Sequence, residues 1–461
     1  MKIKELFLRV LILSLICSPA FTIENFSDDE EEGMVVPLVT GVQLLPVYVV
    51  QFRNLSQAYD SDYINKLENI LRFDLENNGK TSLILRDPHL DDLANKGQLD
   101  SPEWEKQQAK YIITVNVTNE QLEPAISSVV GKWTKESPAI DMNGELNHDR
   151  RQVHLIADMI HKALFGKESI TRTKFLYTLR ERIAGTKEWT CEIWEADYDG
   201  GNARQVIADS GYCVTPQYAP PTPGMHPGSL LFVSYQQGQP KIYMGSLKDG
   251  STRRFSYLRG NQLMPTLSYQ RDRVAFISDV TGNPDLFLQD FDPQKGVIGK
   301  PRQIFAAPLA TQGTPTFSPD GNRIAFVSNK DGSPRVYAID IPPENAKLKD
   351  IHPELITKFR RGCTAPAWSP DGRKIAYCAR MNGVRQIFVY DFQTKREVQL
   401  TKGTMNAENP TWAPNSLHLI YNATKEPISE LYLINLNHPK PVKISSGKGE
   451  KRFPHWEPRS I

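Results

Sequence analysis

One proline returns six times in the same local setting, and no other feature restricts the fold of this chain as much. Aligned on it, the second half reads Pro216-Gln217-Tyr218, Pro265-Thr266-Leu267, Pro315-Thr316-Phe317, Pro366-Ala367-Trp368, Pro410-Thr411-Trp412 and Pro454-His455-Trp456, at spacings of 49, 50, 51, 44 and 44 residues. That period suits propeller blades and is too long for ankyrin or tetratricopeptide arrays. Two copies are nearly complete: Phe317-Ser318-Pro319-Asp320-Gly321 leads into Ile324-Ala325-Phe326 as Trp368-Ser369-Pro370-Asp371-Gly372 leads into Ile375-Ala376-Tyr377. In each the proline presets φ and the glycine accepts a positive φ, so the pair marks a tight turn between two strands. A third strand such as 335–340 and a fourth such as 396–400 complete a four-stranded unit. Alternation puts the repeat proline and the aromatic two places later on one face, ready to pack on a neighbouring blade.

The ends of the repeat predict how the ring closes. The sixth proline copy supplies one strand, and the segments 174–181, 190–197 and 203–208 supply three with no proline strand before them. One plus three makes a blade. The C-terminal strand is therefore expected to complete the sheet begun near Lys174, giving six blades and removing exposed edges.

Ahead of the repeat, Leu45 to Phe52 reads as a buried strand, and Ile64, Leu67, Leu71 and Leu75 share one helical face that stops at Asn77-Asn78-Gly79. Strands follow at 81–85 and 111–115. A last helix, expected to start near Asn147, aligns Val153, Ile156, Ile160 and Leu164 and stops at Gly166. The expected fold is thus mixed: a small N-terminal α/β domain (43–168) followed by an all-β six-bladed β-propeller (169–461) closed by the C-terminal strand. Gly79-Lys80-Thr81 is not a phosphate loop, because Asp74 stands where the earlier glycine is needed and this glycine ends a helix rather than opening one.

The first twenty residues read as an export signal: bases at Lys2, Lys4 and Arg9, an apolar stretch from Val10 to Cys17, then Ser18-Pro19-Ala20. Cleavage after Ala20 would export the chain; the alternative of a lipid-anchored Cys17 has bulky Ile16 where a small residue is wanted. Residues 21–42 form an acidic arm around Asp28-Asp29-Glu30-Glu31-Glu32, whose adjacent like charges predict mobility. The whole chain has 55 Lys+Arg against 53 Asp+Glu, with no electrostatic footprint for a nucleic-acid backbone. Four cysteines follow the signal, none in a C-x-x-C pair. Counting outward from the turn at 369–372 sets Cys363 opposite Cys378, within disulfide range, and that pair is the expected bridge. Cys191 and Cys213 read as isolated buried thiols.

The export signal, the small α/β domain and the Phe/Trp-Ser-Pro-Asp-Gly blades together resemble the TolB family, the periplasmic component of the Tol–Pal cell-envelope system. The local stretches that carry the resemblance are Thr173-Lys174-Phe175-Leu176-Tyr177, Ala196-Asp197-Tyr198-Asp199-Gly200 and the blades around Phe317 and Trp368. The resemblance implies binding of the peptidoglycan-associated lipoprotein Pal through the propeller, and communication of the mature N-terminus with the inner-membrane protein TolA. Two blades depart from the turn motif, at 219–228 and 268–272, and the acidic arm departs from the family's usual N-terminus.

A propeller hydrolase is the alternative. However, the chain has no G-x-S-x-G and no H-E-x-x-H, its nine histidines are scattered, and Asp279 to Asp285 reads as turn geometry rather than a calcium loop. No catalytic residue, metal or cofactor is expected. If the ring binds protein, topology locates the face. The links from each outer strand to the next inner strand emerge on one side, where Asn261, Gln262, Gln312, Thr314, Thr364, Asn406, Glu408 and Arg452 are expected to line the mouth.

Overall fold

The computed structural model describes residues 36–37, 42–183, 185–186, 189–208, 212–221 and 227–458. The signal segment, the acidic tract at 28–32 and the expected cleavage site lie outside them. No helix of the described residues is long and apolar enough to cross a membrane.

The front domain is a sheet in the order Thr81–Leu83, Leu45–Val49, Tyr111–Val117, Gln121–Ser128, Trp133–Glu136. Its central strands are apolar on both faces because both are covered. Val47, Val49, Ile113 and Val115 pack on helices α1 (Ser61–Glu76) and α4 (Leu146–Phe165). On the other side Tyr48, Val50 and Ile112 pack on α2 (Pro88–Asn95) and α3 (Pro102–Lys106), around the fully buried Trp104. The Asp60 carboxylate caps α1 by accepting from the Tyr63 amide at 2.7 Å, and Gly166 ends α4 in the left-handed conformation. Helices α2 and α3 and the 121–136 hairpin were not among the elements expected from the sequence.

Six four-stranded blades follow. The C-terminal strand Glu450–Trp456 lies antiparallel to Lys174–Arg182 as the inner strand of the first blade, pairing Trp456 with Phe175 and Lys451 with Leu179. The indole of Trp456 donates to Thr173 Oγ1 at 2.8 Å, and Arg180 pairs with Glu450 at 2.6 Å in a buried ion pair. The ring is therefore closed as the repeat count required. Within the turns, Ser318 and Ser369 each accept the backbone amide five residues on (Arg323 and Lys374, both at 2.9 Å), and Gly321 and Gly372 have φ of 71° and 73°. Repeat aromatics seal the seams: Trp368 packs with Ala325 and Val327 of the preceding blade, and the Trp412 indole donates to Ala367 of the blade before it at 3.0 Å.

Every inner strand also carries a β-bulge at one position. Thr215, Met264, Thr314, Ala365, Asn409 and Phe453 precede the six repeat prolines, and each has a positive φ, from 39° to 54°. At each of them the pairing with the second strand slips by one residue, the extra residue of a bulge.

The bulge overturns the expected cysteine register. The hairpin is closed by Ser369 and Lys374, so its loop holds four residues rather than two, and the bulge then takes one residue back. Cys378 consequently faces Thr364, and the Cys363 thiol turns to the Arg360 carbonyl at 3.5 Å. Both are fully buried thiols, pushed up to about 12 by burial. Residues Val36–Pro37 of the arm add a short parallel strand to the outer edge of blade five, opposite Val398 and Gln399.

Candidate functional site

The two faces of the ring differ in what they meet. On the face carrying the inner-to-second-strand turns, the front domain docks. The C-terminal stop of α1 reaches blade six: His418 Nε2 donates to the Asn77 carbonyl and Asn437 Nδ2 to the Gly79 carbonyl, both at 2.8 Å. Burial holds His418 down to about 4, so it is neutral and can donate through one nitrogen while Asn415 faces the other. Beside it, α4 meets the loop after the third strand of blade one. Arg150 pairs closely with Asp199, Tyr198 donates to Asp74 at 2.6 Å, and His154 Nδ1 meets Asp74 at 2.8 Å. Gly200 and Gly201 let this loop close, since a Cβ on Gly200 would stand 1.6 Å from the Ile444 carbonyl oxygen.

Among the described residues Asp74, His154 and Asp199 are the set of acid and imidazole groups close enough to grip a cation. The Asp74 oxygens are engaged by Tyr198 and His154 Nδ1 and an Asp199 oxygen by Arg150, while His154 Nε2 stands 3.7 Å from Asp199 without a hydrogen bond. A guanidinium beside Asp199 also repels a metal ion. The arrangement is an ionic clamp between the two domains.

The opposite face carries the outer-to-inner links, of which 444–449 still reaches the front domain: Ile444 and Ser446 border one cleft with Asn69, Ile70, Phe73 and Arg150. The residues expected at its mouth divide in two. Gln262 and Gln312 are buried inside their blades, correcting their expected place: the Gln262 amide is spent on the Leu258 carbonyl at 3.0 Å, and Gln312 lies beside Asp285. The remainder are half-buried, and most are tied to neighbours. Asn261 donates twice to Asp279, Asn406 accepts the Arg385 amide at 2.9 Å, Glu408 pairs with Arg385 at 2.6 Å, and Arg452 pairs with Glu450 at 3.0 Å. Thr314 and Thr364 sit lower, at the bulge level, and Thr314 lines the axial channel.

That channel encloses about 440 Å³ below the bulges, bordered by five of the six repeat prolines, Gln217, Thr316, Asn415, His455 and the interdomain segment 167–170. Burial pushes His455 down to about 4, so the lining carries no imidazolium charge there.

What the sequence reading missed is on the links themselves. Tyr257, Leu309 and Phe359, on three consecutive links, are 82 %, 99 % and 65 % exposed, and Ile428 on a neighbouring turn of the same face is 57 % exposed. The five described links (255–261, 306–311, 356–363, 400–405 and 444–449) contain Arg259, Lys358, Arg360, Arg361, Lys402 and Lys448 and no Asp or Glu. A signal existed: a large apolar residue in a Gly- or Pro-bearing, acid-free link has no core to enter. Exposed apolar side chains grouped on one face mark a protein-binding surface.

Comparison with known proteins bears on the family. Residues 161–460 match the TolB beta propeller domain and residues 39–126 the TolB amino-terminal domain. The chain is 51 % identical over 385 residues to a protein TolB homolog of Protochlamydia amoebophila, covering 82 % of each chain. It is 45 % identical over 263 residues to that of Chlamydia abortus, covering 56 % of this chain and 59 % of the relative. The crystal structure of TolB from Acinetobacter baumannii superposes with a TM-score of 0.70 at 20 % identity, over 90 % of this chain and 97 % of that one. With two domain matches in order and a relative aligned along most of its length, the chain belongs to the TolB family.

Proposed function

We propose that this chain is an exported, non-catalytic docking component of a Tol–Pal system, and that it receives a Pal-like peptidoglycan-associated lipoprotein on the link face of its propeller. Family membership gives the system. The observation that carries the docking surface is the arc of Tyr257, Leu309 and Phe359, set among links that carry cations and no acids, on the face opposite the turns that hold Asn77 and Gly79. Apolar anchors inside a charged rim are the usual anatomy of a protein interface. The cations select a partner with an acidic border. The N-terminal arm would serve a TolA-like inner-membrane protein, supporting outer-membrane integrity and envelope constriction during cell division, in the periplasm and touching membranes only through partners.

The test is titration of mature protein against the soluble domain of the lipoprotein. Leu309→Glu combined with Phe359→Glu should weaken binding at least about 30-fold, the loss of a hot-spot pair. The thermal midpoint should stay unchanged, because neither side chain is buried. Unaltered affinity removes the link face from the site.

A further inference from the structure

We propose that Cys191 and Cys213 form a disulfide in the exported protein, fastening the first blade to the second. The inference rests on the reading of residues 1–20 as an export signal, and on a contact between two residues that share no hairpin. Cys191 lies in the third strand of blade one (Trp189–Asp197), and Cys213 opens the inner strand of blade two (Cys213–Tyr218). Their side chains cross the seam between the blades. Cys191 Sγ lies 2.7 Å from the Cys213 carbonyl oxygen, and Cys213 Sγ lies 3.2 Å from the Cys191 carbonyl oxygen. Each sulfur thus lies against the other cysteine's main chain, although both stand as thiols in this structure, and a disulfide requires their Cα atoms within about 7 Å.

The surroundings favour a covalent link. Both cysteines are buried, at 1 % and 0 % exposure, in an apolar cluster with Leu176, Ile193, Val206 and Phe232. The other pair contrasts with this one: the Cys363 thiol is directed to the Arg360 carbonyl, and Cys378 stands across from Thr364.

The chemistry balances as thiol–disulfide exchange. The two thiols lose two protons and two electrons and one S–S bond forms; a disulfide-bearing oxidant of the export compartment accepts the electrons and becomes a dithiol. Because the closed ring covers both sulfurs, exchange precedes the seating of blade two. The first blade is then held on both sides, by the C-terminal strand within it and by a covalent bond at its seam with the next.

Mature full-length protein recovered from the export compartment without reductant, unfolded in excess maleimide, digested and mass-mapped should yield a peptide pair joined through Cys191 and Cys213, with label on Cys363 and Cys378. Label on all four, or a bridge between any other pair, overturns the proposal. A second arm separates the geometry from the export reading: reduced protein is refolded in a glutathione redox buffer. A Cys191–Cys213 bridge there, with four labelled thiols in the exported sample, places the failure in the export reading and still overturns the proposal as stated. No bridge in either sample places it in the pairing. Reductant should also lower the thermal midpoint of the native protein by about 5–10 °C and leave a Cys191→Ser/Cys213→Ser variant unmoved.

Discussion

The clamp between the domains makes a prediction whose sign comes from counting charge. Asp74, Asp197 and Asp199 meet Arg150, Lys174 and His154 at the seam, Lys174 reaching Asp197 at 2.5 Å. With a protonated imidazole the group is neutral; with a neutral one it buries one uncompensated negative charge. Burial pushes the His154 imidazole down, but the carboxylates of Asp74 and Asp199 outweigh it and raise its affinity for the proton above the free value of 6.5. A group raised on folding contributes its stability in full below its unfolded value and loses it as pH climbs through its folded value. The His154 contribution to domain docking is therefore present in full below its free value of 6.5 and is lost as pH rises through a value above that. His154→Gln removes the charge and leaves Asp74 with Tyr198 as its partner. Breaking one member of a buried pair costs about 3–5 kcal/mol, on the order of a 10 °C fall in the midpoint of a domain this size. Calorimetry from pH 6 to 9, with hydrogen exchange followed at 77–81 and 197–201, measures both quantities. If His154→Gln melts like the native protein, or keeps the native dependence on pH, the clamp does not hold the domains together.

Three further outcomes follow from the packing. Trp456→Ala should cost about 3–5 kcal/mol through lost burial and the lost bond to Thr173, read as a lowered midpoint of the propeller; an unchanged midpoint would mean the C-terminal strand does not hold the ring. Gly200→Ala forces a Cβ onto the Ile444 carbonyl and should loosen domain docking as much as His154→Gln does, seen as faster exchange at 197–201. Affinity for the lipoprotein domain should fall as salt rises from 50 to 500 mM, because exposed cations of the links are screened; salt-independent binding would discard their role.

Much of this architecture was legible because blades repeat. The proline period fixed the blade count, and the missing strand at one end matched the surplus strand at the other. The bulges were not legible: Thr215, Met264, Thr314, Ala365, Asn409 and Phe453 include one asparagine and no glycine, so nothing in their chemistry announces a positive φ. An unbroken ladder was the natural assumption, and it set Cys363 against Cys378 wrongly. The clamp was hidden for another reason. Asp74, His154 and Asp199 come from separate elements that only docking brings together, and no local pattern encodes that meeting. At the mouth, polarity misled. Gln262 and Gln312 looked like rim residues, yet their amides sit within the blades, while the apolar link residues stand in water.

The six kinks before the repeat prolines have a consequence for how such a wheel can vary. Lying at one height around the axis, they separate an upper collar from the barrel beneath it, as expansion joints separate sections of a bridge. A link can lengthen, shorten or trade one side chain for another above the joint without shifting the strands below. New guests can thus be accommodated at the collar while the hub stays as it was.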